Sequence, residues 1–387
     1  MRDFNIKLTC KLFTMKRKFW MVVIFSFLAL DIGEAIRWLS LQHSHLHWNL
    51  TAWSLQNSPG GRGVRSGDRS PCAVARRRYG LARAQARLCR TAPDAMPHVQ
   101  QAARLAVDTC QQVFGNRRWN CSSVASAPYL TPDLTRATRE QAYVYAISSA
   151  AVVWAVARAC SSGALHQCTC APRPSKSPAP TQKFQWGGCG DNIKWGSHFS
   201  KRNKKSRRDE ISESERILRS YMALVNLHNN KVGRKIMSES LRTQCKCHGV
   251  SGSCNIKTCW RALPSMTEIG MKMLQKYTNA IEVKRGFLEK ISSEEKKKKR
   301  NSSAQLVYIS KSPDYCTKDE KLGSFGTVGR HCNVSSNGPD SCRQLCCGRG
   351  YRTVVDEKIE RCQCKFYNCC YVKCKICRTL TQVYECL

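Results

Sequence analysis

The stretch that decides the fold is residues 245–260, which read CKCHGVSGSCNIKTCW. Gly249 and Gly252 allow a tight turn in its middle, because glycine adopts positive φ without steric cost. The spacing therefore predicts a stapled hairpin at residues 245–259 that holds Ser251 at its tip. Its four cysteines close two nested rings, the inner one Cys247 with Cys254 and the outer one Cys245 with Cys259.

A catalytic interpretation of this loop has little support. Ser251 and His248 could act as a nucleophile and its base, and the neighbouring glycines partly match a nucleophile elbow. The elbow pattern G-x-S-x-G is broken, however, because Ser253 stands at the last glycine position, and cysteines flank the loop instead of a strand and a helix. We predict no catalytic residue, and we interpret His248 as structural.

The N-terminus and the cysteine content indicate a secreted protein. Basic residues precede a short apolar run, Phe19 to Leu30, and small residues follow it, which predicts a signal peptide at residues 1–35. The run is shorter than the roughly 20 residues that a membrane-spanning helix needs. Removing the peptide takes Cys10 from the 25 cysteines and leaves 24, an even number that can pair fully in an oxidising compartment.

Four N-x-S/T sequons fit the same route and predict glycosylation at Asn49, Asn120, Asn301 and Asn333. We therefore expect the protein in the extracellular space or extracellular matrix.

The chain is strongly basic, with 64 Lys and Arg against 27 Asp and Glu and a net charge of +37. Such a charge attracts polyanions over long distances. A secreted protein meets heparan sulfate before nucleic acid, and the sequence has none of the motifs that read bases. We expect heparan sulfate as a partner and no nucleic acid. The basic runs 201–208 and 296–300 are candidate contacts, although a solvated surface without a partner has the same composition.

The apolar pattern predicts a helical N-terminal domain at residues 72–293. Apolar residues recur at helical spacing across 97–160, where they indicate two helices, and again from Ile217 toward Leu241. The second of these helices is apolar on nearly all sides, so we expect it to be buried. A polar, Gly/Ser-rich segment at 36–71 precedes the domain and is predicted to be a flexible lead-in.

The cysteines predict a different second lobe at residues 305–387, after a basic linker at 294–304. Twelve cysteines lie between Cys316 and Cys386, which leaves little room for a conventional apolar core. Bridges and short β-hairpins should hold this lobe. The expected fold class is therefore α+β and disulfide-rich, with a helical N-terminal lobe and a cystine-rich β-hairpin C-terminal lobe.

A second stapled hairpin is predicted at residues 362–377, with a tip that reads KFYNCCYVK at 365–373. Its two rungs are Cys364 with Cys374 and Cys362 with Cys377. Exposed aromatic residues on a stapled tip are typical of a binding anchor. Zinc could compete for these cysteines, but zinc sites usually include histidine, and His331 alone falls in the cluster. We predict disulfides and no metal.

Four motifs together resemble the Wnt family of secreted signalling proteins. They are CKCHGVSGSC at 245–254 followed by KTCW at 257–260, RWNCS at 118–122, WGGCGDN at 186–192 and CCGRGY at 346–351. With the C-terminal cysteine spacing, the resemblance covers Cys72 to Leu387. The segments 139–146 and 312–316 favour the subgroup tied to cell polarity and convergent extension.

The resemblance implies the Wnt fold and a ligand that activates Wnt signalling in development. In this family the serine at the position of Ser251 carries a mono-unsaturated fatty acyl ester, added by the acyltransferase Porcupine; no cofactor is implied. The acylated hairpin (the thumb, 245–259) and the second hairpin (the finger, 362–377) grip the Frizzled cysteine-rich domain. The implied receptor-binding residues are Val250, Ser251, Phe366, Tyr367, Asn368, Cys369, Cys370, Tyr371 and Val372.

One of these residues departs from the family, which usually has Trp where this chain has Asn368. The finger contact would then depend on the neighbouring aromatic residues. Further implied partners are the carrier Wntless and a lipoprotein-receptor-related or tyrosine-kinase-like coreceptor. The resemblance also implies the bridges Cys110 with Cys121, Cys160 with Cys168, Cys170 with Cys189, Cys316 with Cys347, Cys332 with Cys342, Cys346 with Cys386 and Cys369 with Cys370, which leaves Cys72 with Cys89.

Overall fold

The computed structural model describes residues 36–48, 70–172, 184–201, 213–283, 305–367 and 369–387. The predicted signal peptide, the basic linker and both basic runs except Lys201 lie outside the described residues. So do Asn49, Asn301 and Asn368.

Eight α-helices lie in the described ranges: α1 Pro71–Arg78, α2 Arg83–Thr91, α3 Met96–Phe114, α4 Arg139–Ser161, α5 Ile193–Lys201, α6 Glu213–Glu239, α7 Met266–Thr278 and α8 Cys342–Leu345. The three helices that the apolar pattern predicts correspond to α3, α4 and α6.

Ten strands lie in the same ranges: β1 Phe184–Trp186, β2 Arg242–Cys247, β3 Lys257–Ala262, β4 Ile281–Glu282, β5 Val307–Tyr308, β6 Lys318–Asp319, β7 Ser324–Phe325, β8 His331–Cys332, β9 Tyr351–Tyr367 and β10 Tyr371–Cys386. Strand β3 lies between parallel β1 and antiparallel β2, and β10 lies between β8 and β9, both antiparallel. The pairs β4–β5 and β6–β7 stand alone. The architecture is the expected one, a helical lobe followed by a cystine-rich lobe of hairpins.

Helix α4 forms the centre of the helical lobe and is buried on nearly all sides. Thr138 caps its start by accepting a hydrogen bond from the backbone N–H of Gln141. Helix α6 packs closely against α4 at Gly233, where there is no room for a side chain. A Cβ on Gly233 would lie only 2.1 Å from the carbonyl oxygen of Ala146 in α4. Among the described residues, α4 is the one helix long and apolar enough to cross a membrane, and 83% of its most apolar window is buried inside the protein.

The predicted flexible lead-in is wrong for its first part. Residues Ile36–His43 form a 3₁₀ helix whose Trp38 and Leu41 are buried in the helical core. Trp48 is also buried, and its indole N–H donates to the side-chain oxygen of Gln100 at 2.8 Å. The Gly/Ser-rich composition that suggested flexibility belongs to residues further along, whereas this segment carries large apolar side chains whose burial is favourable.

The segment around β5 packs with the helical lobe, so the predicted start of the C-terminal domain at residue 305 is too early. Strand β5 pairs with β4, and Asn229 of α6 both donates to the carbonyl of Val307 at 2.9 Å and accepts from its N–H at 3.0 Å. Leu306 and Tyr315 belong to the helical core. A separate small core in the C-terminal lobe consists of Cys342, Leu345, Cys346 and Cys386.

Arg330 joins the two lobes. Its guanidinium donates hydrogen bonds to the carbonyl oxygens of Gly115 and Arg117, both at 2.7 Å, and of Arg118 at 2.9 Å. These carbonyls follow the C-terminus of α3, where unpaired carbonyls and the helix dipole favour a cation. Arg118 in turn donates from Nε to the carbonyl of Gln344 at 2.8 Å. The cystine-rich lobe is therefore hydrogen-bonded directly to the end of a core helix.

Candidate functional site

The thumb is built on β2 and β3, whose antiparallel register places Cys245 directly opposite Cys259. The outer disulfide joins this pair across a Cα separation of 4.0 Å, and the inner one joins Cys247 with Cys254 across 4.6 Å. Both predicted rings are present. Because the two bridges close the loop at successive levels, residues 248–253 have few ways to rearrange.

The WGGCGDN motif anchors the thumb to the helical lobe. Strand β1 pairs in parallel with β3. The two strands are in close contact at Gly187, where a Cβ would lie 2.7 Å from Cγ2 of Thr258. Asp191 is buried, and its carboxylate accepts from the backbone N–H of Leu263 and from the hydroxyl of Ser161, both at 2.7 Å. Leu263 follows β3 and Ser161 ends α4, so this carboxylate fixes the thumb on the central helix.

The tip of the thumb is a short turn, Val250–Gly252, in which Ser251 has a left-handed φ of 55°. The N–H of Gly249 donates to the carbonyl of Ser253 at 2.8 Å. Gly252 has a positive φ of 77°, as predicted, but Gly249 has a φ of −70°. The prediction of a positive φ at Gly249 is therefore wrong. This position lacks space instead, since a Cβ would lie 2.0 Å from Oγ of Ser253.

The thumb tip presents its hydroxyl to solvent. Ser251 is exposed, and the neighbouring Val250 is 90% exposed. Nε2 of His248 lies 3.0 Å from Oγ1 of Thr258 on the opposite strand, so a hydrogen bond between the two side chains stabilises the hairpin. The arrangement offers an accessible hydroxyl on a rigid support beside an exposed aliphatic side chain.

The finger is the outer part of a longer ribbon, because β9 and β10 continue past the predicted 362–377 to Tyr351 and Cys386. Both predicted rungs are present. Cys364 with Cys374 spans a Cα separation of 3.9 Å, and Cys362 with Cys377 spans 5.8 Å. The ladder is irregular between Lys373 and Lys375, at the inner rung.

The finger tip is largely apolar and exposed. Tyr367 lies opposite Tyr371, and their rings stack with centroids 5.4 Å apart. Phe366 lies opposite Val372, and these side chains are 72% and 58% exposed. Exposed aromatic and aliphatic groups on a stapled support are the features of an anchor for a protein partner.

The predicted bridge between Cys369 and Cys370 is not formed. Both cysteines are exposed thiols whose Sγ atoms lie 2.7 Å apart, against about 2.05 Å in a disulfide. Adjacent Cα atoms are about 3.8 Å apart, closer than the roughly 4.4 Å at which ordinary disulfides begin. A bond here therefore requires a distorted backbone. The hydrogen bond between the two thiols raises the pKa of Cys370.

The other seven predicted disulfides are present: Cys72 with Cys89, Cys110 with Cys121, Cys160 with Cys168, Cys170 with Cys189, Cys316 with Cys347, Cys332 with Cys342 and Cys346 with Cys386. Three sulfurs of the C-terminal lobe, those of Cys332, Cys346 and Cys386, lie within 4.8 Å of one another. Each is bonded in a disulfide, so none of the three is a thiolate that could bind zinc.

Two of the four sequons lie in the described part of the chain. The carboxamide oxygen of Asn120 accepts from the N–H and the hydroxyl of Ser122, at 3.2 and 2.7 Å. That of the exposed Asn333 accepts from the N–H of Ser335 at 3.0 Å. Both acceptors therefore lie in local turns.

Sequence reasoning missed the two side chains that position the hairpins, Asp191 and Arg330. The carboxylate inside the glycine-rich motif WGGCGDN was a signal for Asp191, because glycines can mark a close backbone contact. No local signal identified Arg330, whose partners lie more than 200 residues away in the sequence.

Comparison with known proteins agrees with the motifs. The model of the wnt family matches residues 77–387. Protein Wnt-11b-2 of Xenopus tropicalis is 44% identical over 314 residues, which cover 79% of this chain and 86% of that protein. Protein Wnt-11 of Gallus gallus is 42% identical over the same shares of both chains. These relatives fit the polarity subgroup that the sequence favoured.

A solved structure agrees as well. The structure described as human WLS in complex with WNT8A contains a chain that matches with a TM-score of 0.52 and 32% identity, covering 76% of this chain and 94% of that chain. Motifs, disulfides and backbone arrangement therefore lead to one assignment. The chain belongs to the Wnt family, whose members are secreted signalling ligands and not enzymes.

Proposed function

We propose that this chain is a lipid-modified ligand that binds the cysteine-rich domain of a Frizzled receptor through its thumb and its finger. The observation that carries the proposal is the thumb tip, where two nested disulfides hold the exposed hydroxyl of Ser251 away from the helical lobe. The same position is the acylated serine of the family. An acyltransferase of the Porcupine type would reach this hydroxyl without unfolding the hairpin.

The acyl chain would supply most of the affinity. At about 0.8 kcal/mol per buried methylene, a fatty acyl chain gives on the order of 10 kcal/mol of gross transfer free energy in an apolar groove. Val250, 90% exposed beside the ester, would enter the same groove. Without the lipid, the protein surface of the thumb offers little apolar area.

The finger would make the second contact through Phe366, Tyr367, Tyr371 and Val372, all exposed at its tip. Asn368, Cys369 and Cys370 complete the proposed surface. Aromatic residues dominate many protein interfaces, and one buried aromatic anchor often contributes about 2 kcal/mol or more.

Export and signalling would follow the family route. The similar chain in complex with WLS supports a Wntless-type carrier for the acylated protein. Outside the cell, the charge of +37 would retain the ligand on heparan sulfate in the extracellular matrix. The bound ligand would then bring the receptor together with a lipoprotein-receptor-related or tyrosine-kinase-like coreceptor. The coreceptor would bind a surface away from the thumb tip and the finger tip. The Wnt-11 relatives favour an output in cell polarity.

Intact-mass spectrometry of the secreted protein tests the proposal. The wild type should carry an acyl increment that Ser251→Ala removes, and the same substitution should abolish tight binding to a Frizzled cysteine-rich domain. Ser253→Ala is the matched control, because this half-buried hydroxyl lies two residues away in the same hairpin. Loss of the increment in the control, with retention in Ser251→Ala, would move the modification to the other serine and overturn the assignment.

A further inference from the structure

The first two helices, α1 and α2, form a cross-linked pair that carries a dense cluster of arginines. A disulfide joins Cys72, at the start of α1, to Cys89, near the end of α2, and residues 79–82 connect the other ends of the two helices. This bridge limits the ways in which the pair can move, so it displays its side chains on a fixed support. Six of those side chains are exposed arginines: Arg76, Arg77, Arg78, Arg83, Arg87 and Arg90.

Three of the arginines form a single row on α2, the arginine row. Arg83, Arg87 and Arg90 are spaced i, i+4 and i+7, which places them on one face of the helix. At 1.5 Å per residue the row is about 10 Å long. Leu88 and Cys89, on the other side of α2, are buried in the helical core. The arginine row therefore points away from the core along the length of the helix.

Acidic side chains are scarce around the row. The described segments 36–48 and 70–107 together contain eight arginines and a single acidic residue, Asp94. The first segment belongs to the same surface, because Arg37 donates to the carbonyl of Gly80, between α1 and α2, at 3.4 Å. Neither the arginine row nor Asp94 takes part in an ion pair within the described residues. The row is therefore available to an anion from outside the protein.

The surroundings of the row favour a linear polyanion over an anionic membrane. A helix that lies in a membrane surface inserts an apolar face beside its basic one. The structure describes α1 and α2 throughout, and neither helix exposes a large apolar side chain. A guanidinium can donate two parallel hydrogen bonds to a carboxylate or to a tetrahedral oxyanion. A sulfated glycosaminoglycan carries both groups, carboxylate and sulfate, along one chain.

We propose that the arginine row is a binding site for a sulfated glycosaminoglycan whose chain runs along α2. The site rests on the part of the proposed function that retains the ligand on heparan sulfate, and it gives that retention a location. It differs from the basic runs 201–208 and 296–300 that the composition indicated. It involves neither the thumb nor the finger, so the receptor and the polysaccharide can bind at the same time.

Binding of heparin to the full secreted chain tests the proposal, measured over a range of salt concentrations in a detergent that covers the proposed acyl chain. Replacing the whole row, with Arg83→Gln, Arg87→Gln and Arg90→Gln together, should weaken binding about tenfold or more near physiological salt. The slope of log affinity against log salt should fall by roughly two to three, because each lost contact removes the release of a counterion. Glutamine and arginine have similar helix propensities, so α2 should stay folded.

Two further variants separate a local site from general charge and from misfolding. The matched control removes three exposed arginines on other parts of the helical and C-terminal lobes, Arg136→Gln, Arg158→Gln and Arg343→Gln, and should weaken binding much less. Lysine at the three positions of the row keeps the charge and should keep most of the salt slope. The glutamine variant should also bind a Frizzled cysteine-rich domain as the parent does, which shows that it is folded.

Three results would overturn the site. If the glutamine variant bound heparin like the parent, the row would not be the site, whereas retention through other basic residues would stand. If the control weakened binding equally, net charge alone would explain the affinity. If the glutamine variant lost only binding to phosphatidylserine vesicles, the row would face a membrane instead. A parent protein without affinity for heparin would overturn both the site and the retention on heparan sulfate.

Discussion

Replacing Asp191 by alanine is expected to loosen the thumb while the helical lobe stays folded. The carboxylate accepts hydrogen bonds from Leu263 and Ser161, both at 2.7 Å, at a buried site. Hydrogen bonds to a charged group contribute about 1.5–3 kcal/mol each, and water that enters the vacated space recovers part of that. We therefore expect the free energy of local opening at the thumb base to fall by about 3 kcal/mol.

Hydrogen–deuterium exchange of a peptide that covers β3 and Leu263 measures this change. A loss of about 3 kcal/mol corresponds to exchange roughly 100-fold faster. Asp191→Asn keeps one acceptor oxygen and should give an intermediate rate. Asp94→Ala, which removes an exposed acid far from the thumb, is the control and should leave the peptide unchanged. If Asp191→Ala exchanged at the wild-type rate, the carboxylate would not be the anchor described above.

Three further predictions concern the lobes, the core and the finger. Arg330→Gln should speed amide exchange in residues 115–118 about tenfold or more, because three carbonyls lose a charged donor; wild-type rates there would contradict the role of Arg330 in joining the two lobes. Burial raises the pKa of Asp133 above its ordinary value of 3.8, so the folded state holds this proton more tightly and the free energy of unfolding should decrease as the pH rises through that range. Melting temperatures from pH 4 upward should show a smaller decrease in Asp133→Asn, and an identical slope in both proteins would refute the assignment. Phe366→Ala should weaken Frizzled binding at least tenfold, whereas Tyr129→Ala, 84% exposed on the helical lobe, should not; equal affinities would exclude Phe366 as an anchor.

Local patterns predicted both hairpins, because the residues that specify them are close in sequence. The disulfides around Ser251 and those of the finger join cysteines 7 to 15 residues apart. The burial of α4 was also predictable, because its sequence is apolar on nearly all sides. The family resemblance, rather than spacing, supplied the longer bridges such as Cys346 with Cys386.

Features that depend on distant partners could not be predicted in this way. Composition suggested a flexible lead-in, but Trp38 is buried because it packs in a core that residues of distant helices form. The need for glycine at position 249 comes from Ser253 above it and not from φ. Likewise, the shared face of the exposed Val355, Ile359, Ile376 and Leu380 could not be predicted without the register of β9 and β10, because these residues lie on two strands.

The central element of the proposed function is an acyl ester on Ser251 that provides the main affinity for the receptor. The most direct measurement is the affinity of a Frizzled cysteine-rich domain for the secreted protein before and after an esterase removes the acyl group, with intact mass recorded on both samples. Loss of the acyl mass should weaken binding by several orders of magnitude while the disulfides stay intact. Unchanged affinity after complete removal of the ester would contradict it.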